Sequence, residues 1–232
     1  MARTLPLVLL ALAAAGPAGA AERTYSVTDF DRVQVEGPYR VTLVTGRSSA
    51  ARAEGSIQAL DQVSVDVQGG ILRVRRNRST LASYPAADPG PVTVALTTRD
   101  LRTAAIVGSA SLEIDRAKGL RVDLSVSGSG RLSVAAVESD TLVVGLLGSG
   151  RITLAGRTKQ LKATVQGSGD LAASGLSADE AQIISDTAGS VAVAVARTAK
   201  VTSTGNGDVE ILGSPACTVT AKGSGRVSCG AR

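Results

Sequence analysis

The chain has 232 residues, with 25 Lys and Arg against 20 Asp and Glu, a net charge of +5, and no histidine or tryptophan. Without histidine it lacks the commonest general base, metal ligand and nucleophile activator, which excludes Ser-His-Asp triads and most metal chemistry. Aromatics at 2% leave almost nothing on which bases could stack, so nucleic-acid recognition is excluded as well.

The first twenty residues read as a secretory signal peptide. Arg3 supplies the positive start, residues 5–15 an apolar run, and Ala18-Gly19-Ala20 a small-residue cleavage signature with the cut between Ala20 and Ala21. That run is too short to span a bilayer as a helix, and no later segment is long and apolar enough. The mature chain, 21–232, is expected to be exported to the periplasm or the extracellular space of a bacterium, with no transmembrane segment. Removing Arg3 from the 25 basic residues leaves 24 against 20 acidic ones. Much of that excess lies in Arg73, Arg75, Arg76 and Arg78, read as a strand edge protected by charge.

Residues 21–100 show strand alternation with irregular insertions. Val33, Val35, Gly37, Val41 and Leu43 fit one repeating unit, and Val65, Val67, Gly69 and Val74 fit a second more loosely. The Pro- and Gly-rich stretch 77–91 reads as a surface loop inside a single continuous domain. Tyr25 to Val44 is a candidate cap for one end.

From residue 101 onward the chain repeats itself. A Gly-Ser-Gly-type corner recurs as Gly108-Ser109-Ala110, Gly128-Ser129-Gly130, Gly148-Ser149-Gly150, Gly167-Ser168-Gly169, Thr187-Ala188-Gly189, Gly205-Asn206-Gly207 and Gly223-Ser224-Gly225, at spacings of 20, 20, 19, 20, 18 and 18. A fixed period of this size marks a solenoid whose units bury their apolar faces by stacking on neighbours. Superposing the units aligns Leu112, Leu132, Ile152, Leu171, Val191, Val209 and Val227 after the corner. Before it, Ala104, Leu124, Val144, Ala163, Ile183, Val201 and Val219 align. Period-two alternation rich in β-branched residues specifies strands. The expected fold is all-β: a right-handed parallel β-helix with coils of about 18–20 residues. Each coil reads as strand, corner, strand and a looser return such as 115–120 or 135–141. The glycines serve corners and close coil-to-coil approach rather than phosphate binding, because a strand and not a helix follows each one.

Cys217 and Cys229 fall on inward columns of the last coil. In an oxidising compartment a bridge between them would close a loop of about 12 residues, worth roughly 2–3 kcal/mol. Two cysteines without histidine cannot form a metal site, and no cofactor is expected.

No residue set announces a reaction. The outward column Ser111, Arg131, Arg151, Asp170, Ser190, Asp208 and Arg226 pairs charges across coils instead of clustering carboxylates. Glu138 with Asp140, and Asp179 with Glu180, lie about two coils apart, wide for cooperation on one glycosidic bond. Sugar-stacking aromatics are confined to Tyr25, Phe30, Tyr39 and Tyr84, all outside the regular coils. The reading is therefore a non-catalytic exported solenoid that meets envelope or extracellular polysaccharide or protein. Alternatives are a polysaccharide-active enzyme, or an envelope structural protein with a dedicated protein partner. Both solenoid ends are pairing edges, so end-to-end self-association is open.

The run Phe30-Asp31-Arg32-Val33-Gln34-Val35-Glu36-Gly37-Pro38-Tyr39-Arg40-Val41-Thr42-Leu43, followed by Thr97-Thr98-Arg99-Asp100-Leu101 and repeated Gly-Ser-Gly-x-aliphatic units, resembles the bacterial auto-transporter adhesin, head GIN domain, family over about residues 30–229. The resemblance implies a right-handed β-helix of the bacterial envelope with an adhesin role, and it brings no catalytic or binding residues. The sequence lacks the alternating, aromatic-girdled strands of a membrane barrel, so self-translocation is not expected.

Overall fold

A computed structural model describes residues 21–77 and 90–231. The expected signal peptide, Tyr84, Arg78 and most of the 77–91 loop lie outside them. Ala21, the residue after the expected cleavage point, opens the first strand, β1 (Ala21–Tyr25).

The regular region is a parallel β-solenoid, and the whole fold makes about six turns. Its coils are β9 (Ser111–Gly128), β10 (Arg131–Gly148), β11 (Arg151–Gly167), β12 (Asp170–Thr187) and β13 (Val191–Ser203). The last turns break into β14 (Val209–Leu212), β15 (Ala216–Ala221) and β16 (Val227–Ala231). The columns read from the sequence are the observed registers. Leu132 pairs with Leu112 and Ile152, Ile152 with Leu171, Leu171 with Val191, and Val191 with Val209. These side chains face inward, each packing on its counterpart about 4.8 Å away, and are 0–1% exposed.

The returns are more ordered than expected. Ala136 to Ser139 of β10 pair with Arg116 to Gly119 of β9, so the ladder runs through the return and closes a third side. Ala117, Val137 and Leu176 fill the core from it, all 0% exposed. The 19-residue unit absorbs its missing residue here, where the register slips between Val134 and Val137.

Backbone amides bridge the corners from coil to coil: Ser149 N–H donates to Gly128 O at 3.0 Å and Arg151 N–H to Gly130 O at 3.0 Å. Gly148 holds φ +116°, and a Cβ on it would lie 2.5 Å from Gly128 O. Gly150 has an ordinary φ, yet a Cβ there would lie 2.5 Å from Gly130 O and 2.8 Å from a Val126 methyl. The corner thus demands glycine twice, first for backbone conformation and then for space.

The N-terminal end departs from stacking in sequence order. β2 (Arg32–Glu36) lies between β6 (Ile71–Arg76) and β8 (Thr103–Gly108). Likewise β3 (Arg40–Thr45) lies between β7 (Thr93–Thr98) and β9. The unit at 32–45 therefore stacks directly on 103–114, and the later strands β6 and β7 cover its other side. Tyr25 to Val44 is not the cap: Val41 and Leu43 are interior, at 0% and 1% exposure. The cap is β1, β4 (Ala50–Gly55) and β5 (Val63–Gln68), all antiparallel to their neighbours, with the short helix α1 (Ile57–Asp61) burying Ala59 and Leu60. Val65 and Val74 do not follow one another along one coil: Val74 stacks on Val35, whereas Val65 lies in the antiparallel cap. They face each other across a hairpin turned by Gly69 and Gly70, both at positive φ.

Candidate functional surfaces

A solenoid offers function its outward columns, and three surfaces stand out. On the return side, Lys118, Glu138 and Arg157 sit at matched positions of β9, β10 and β11. Lys118 Nζ lies 3.3 Å and Arg157 Nη2 3.0 Å from the Glu138 carboxylate. Lys159 Nζ is 2.8 Å from Asp140, and Arg197 reaches Asp179 at 3.7 Å and Glu180 at 3.4 Å. Lys118, Glu138, Asp140, Arg157, Lys159 and Asp179 line a groove of about 650 Å³ with Leu120, 81% exposed, on its rim. Lys118, then Arg157, holds the Glu138 carboxyl below the usual carboxylate range, while Asp140 raises the Lys159 ammonium. A general acid needs the opposite shift, a carboxyl raised towards neutrality. Glu138 and Asp179 are also separated by two coils, as the spacing implied.

The second surface is the post-corner column, stacked as expected. Arg151 Nη2 donates to Asp170 Oδ2 at 2.6 Å, and Ser190 donates its N–H at 2.9 Å and its hydroxyl at 3.0 Å to Asp170 Oδ1. The Ser190 amide first, then Arg151, depresses the Asp170 carboxyl. One carboxylate thereby ties three successive coils. Asp208 and Arg226 are also adjacent, but the contact runs through the Arg226 amide, 2.8 Å from Asp208 Oδ1.

The third surface, the pre-corner side, escaped the sequence reading. Its outward central column runs Ala105, Ser125, Gly145, Thr164, Ile184, Thr202 and Thr220 by direct register. Val107 at 45%, Leu147 at 55% and Ile184 at 43% exposure all project from this side. The result is a flat strip of small, hydroxyl and apolar side chains with no charge in its central column. Extending the column comparison to the outward positions before the corner would have found it.

Other candidates resolve differently. Phe30 and Tyr39 are core residues at 4% and 6% exposure, and Tyr25 is half-buried with its hydroxyl enclosed, so none is a sugar platform. The arginines of β6 are not on an edge: β6 lies between β5 and β2, with Arg75 3.4 Å from Asp66 and Arg73 donating to Gln68 at 3.2 Å. Cys217 and Cys229 stand on neighbouring strands of the last coil with Cα atoms 6.6 Å apart, near the upper end of the roughly 4.4–6.8 Å that a disulfide spans. No group of three metal-ligating side chains occurs among the described residues. No helix among them is long and apolar enough to cross a membrane.

Solved structures share this architecture. A putative adhesin from Bacteroides fragilis superposes with a TM-score of 0.83 at 18% identity, covering 91% of this chain and 97% of that one. A putative lipid binding protein from Parabacteroides distasonis gives 0.71 at 19%, covering 91% and 97%. A putative adhesin from Parabacteroides merdae gives 0.70 at 20%, covering 91% and 96%. At these identities the likeness is one of fold. No curated protein matches the sequence. The model of the family described as "Putative auto-transporter adhesin, head GIN domain" matches residues 29–215, most of the chain, and the protein belongs to that family.

Proposed function

We propose that this is an exported, non-catalytic β-solenoid that binds envelope or extracellular material through its flat pre-corner side. The observation that carries the reading is the exposure of Val107, Leu147 and Ile184 on one side of the solenoid, whose central column carries no charge. Apolar side chains scattered singly over a surface need no explanation, whereas alignment on one face of a rigid sheet marks a contact area. The return-side groove supports the non-catalytic half of the proposal: its carboxylates are engaged by Lys118, Arg157, Lys159 and Arg197, and Glu138 is shifted away from acid function. Family membership supports the adhesin-like half.

The test is co-sedimentation of mature protein with peptidoglycan, outer-membrane vesicles, exopolysaccharide and protein-free lipid vesicles, at low and high salt. Saturable binding to one fraction that survives high salt and falls at least tenfold in Leu147→Glu or Ile184→Glu is expected. Binding abolished by salt would instead reflect generic attraction to a basic surface and would overturn the proposal. Binding unchanged in both variants would do the same.

A further inference from the structure

We propose that β15 is a self-pairing edge through which two copies join tail to tail. Among the described residues, β15 pairs with β13 alone, so its other side presents a row of free amides and carbonyls. Inward positions sealed in every earlier coil are open here. Val219 is 42% exposed, whereas Val201, its neighbour one coil back, is 0%. The opposite end is treated differently: β1 and β5 fold over it antiparallel and carry Glu22, Arg23 and Asp66 along the edge. Edge charges and a covering helix or loop are usual devices that stop sheets from pairing edge to edge. β15 carries no charge within its span, which reads Ala-Cys-Thr-Val-Thr-Ala.

The same six residues indicate the partner. The strand is nearly palindromic about Val219, so antiparallel pairing with a second copy sets Thr218 opposite the partner's Thr220 on the outer face. Val219 then meets its own equivalent on the inner face, and Cys217 meets the partner's Ala221. The threonine and valine pairs match in side-chain direction and size, and Cys217 meets a smaller residue that leaves it room, as a two-fold interface requires. A protein partner of unrelated sequence would not call for this symmetry. The interface is small, so a weak dimer is expected, with Kd on the order of 10–100 µM. Lys222 and Arg226 are the only charged residues from Gly213 to Ala231, so two such ends repel and added salt strengthens the dimer. The family match stops at residue 215, just before β15, so the pairing edge belongs to the part of the chain beyond it. The dimer would double the length of the lateral strip, although this proposal stands whether or not that strip binds anything.

Sedimentation equilibrium of the mature, oxidised chain over a wide concentration range tests it. A monomer–dimer equilibrium whose Kd falls with salt is expected. Val219→Lys should raise that Kd at least tenfold with an unchanged circular dichroism spectrum, while Leu147→Glu leaves it alone. Hydrogen exchange should show concentration-dependent protection of β15 amides. Four results would overturn the proposal: monomer throughout, a dimer insensitive to Val219→Lys, protection elsewhere but not in β15, or open-ended polymers, which signal head-to-tail stacking.

Discussion

Three alanine substitutions separate the two demands that the corners place on glycine. Gly46 has φ +78° and open space within 4 Å of where an alanine methyl would sit, so Gly46→Ala isolates the cost of backbone conformation, about 1–2 kcal/mol. Gly150 has ordinary φ, but its added methyl would press on Gly130 O at 2.5 Å and on Val126 at 2.8 Å. Neither neighbour can retreat, because the next coil is stacked on the other side, and overpacking of this kind costs about 1–3 kcal/mol. Gly148 combines φ +116° with a 2.5 Å approach to Gly128 O, so Gly148→Ala should lose roughly 2–5 kcal/mol. For a domain of this size each kcal/mol lowers Tm by about 2–4 °C, placing Gly148→Ala roughly 5–20 °C below wild type. Urea denaturation followed by circular dichroism, with matched thermal melts, gives the order directly. If Gly148→Ala costs no more than Gly46→Ala, the coils do not press on one another at the corner, and the steric half of the argument fails.

Three further outcomes follow from single side chains. The Ser185 hydroxyl is wholly buried without a hydrogen-bond partner among the described residues, and such a group costs about 1–3 kcal/mol, so Ser185→Ala should raise Tm; a lower Tm would refute the assignment. Asp170, depressed by the Ser190 amide and Arg151, contributes stability that is full above the unfolded carboxylate value of about 3.9 and is lost as pH falls through its lower folded value. The Tm gap between wild type and Asp170→Asn should therefore be wide at pH 7 and narrow as the medium is acidified below the unfolded carboxylate value, and a gap independent of pH would refute the assignment. We also propose that Cys217 and Cys229 are bridged in the exported protein. Intact mass two hydrogens below the reduced value, and a loss of about 2–3 kcal/mol on reduction, are expected; equal masses would dismiss the bridge.

The regular coils were legible because each inward residue packs on its own image one unit later. Leu112, Leu132 and Ile152 are neighbours in space for the same reason that they align in sequence. The returns looked loose because their visible residues, such as Lys118, Glu138 and Arg157, face solvent, while the inward ones vary from Ala117 to Leu176 and blur the column. The N-terminal order was not legible because strand alternation is the same in a hairpin and in a coil. Val65 and Val74 satisfy both readings, and only long-range pairing places 71–76 on the far side of 32–36. The pre-corner strip stayed hidden because Val107, Leu147 and Ile184 come from different coils and from two outward columns, so none repeats at the period that exposes the core.

That asymmetry bears on how such a fold carries function. A chain 18% identical to this one keeps a TM-score of 0.83, so the fold tolerates replacement of most residues provided the inward alternation and the corners persist. Outward columns are under no such requirement, since changing Ile184 or Leu147 alters neither a ladder hydrogen bond nor a core contact. Binding specificity can therefore change one coil at a time on an unchanged scaffold. Two members of the family can share nearly every backbone position and still present unrelated surfaces. It follows that a ligand found for one member should be transferred to another by comparing outward columns, here Ser125 through Thr220 with Val107 and Leu147 alongside, and not by overall identity.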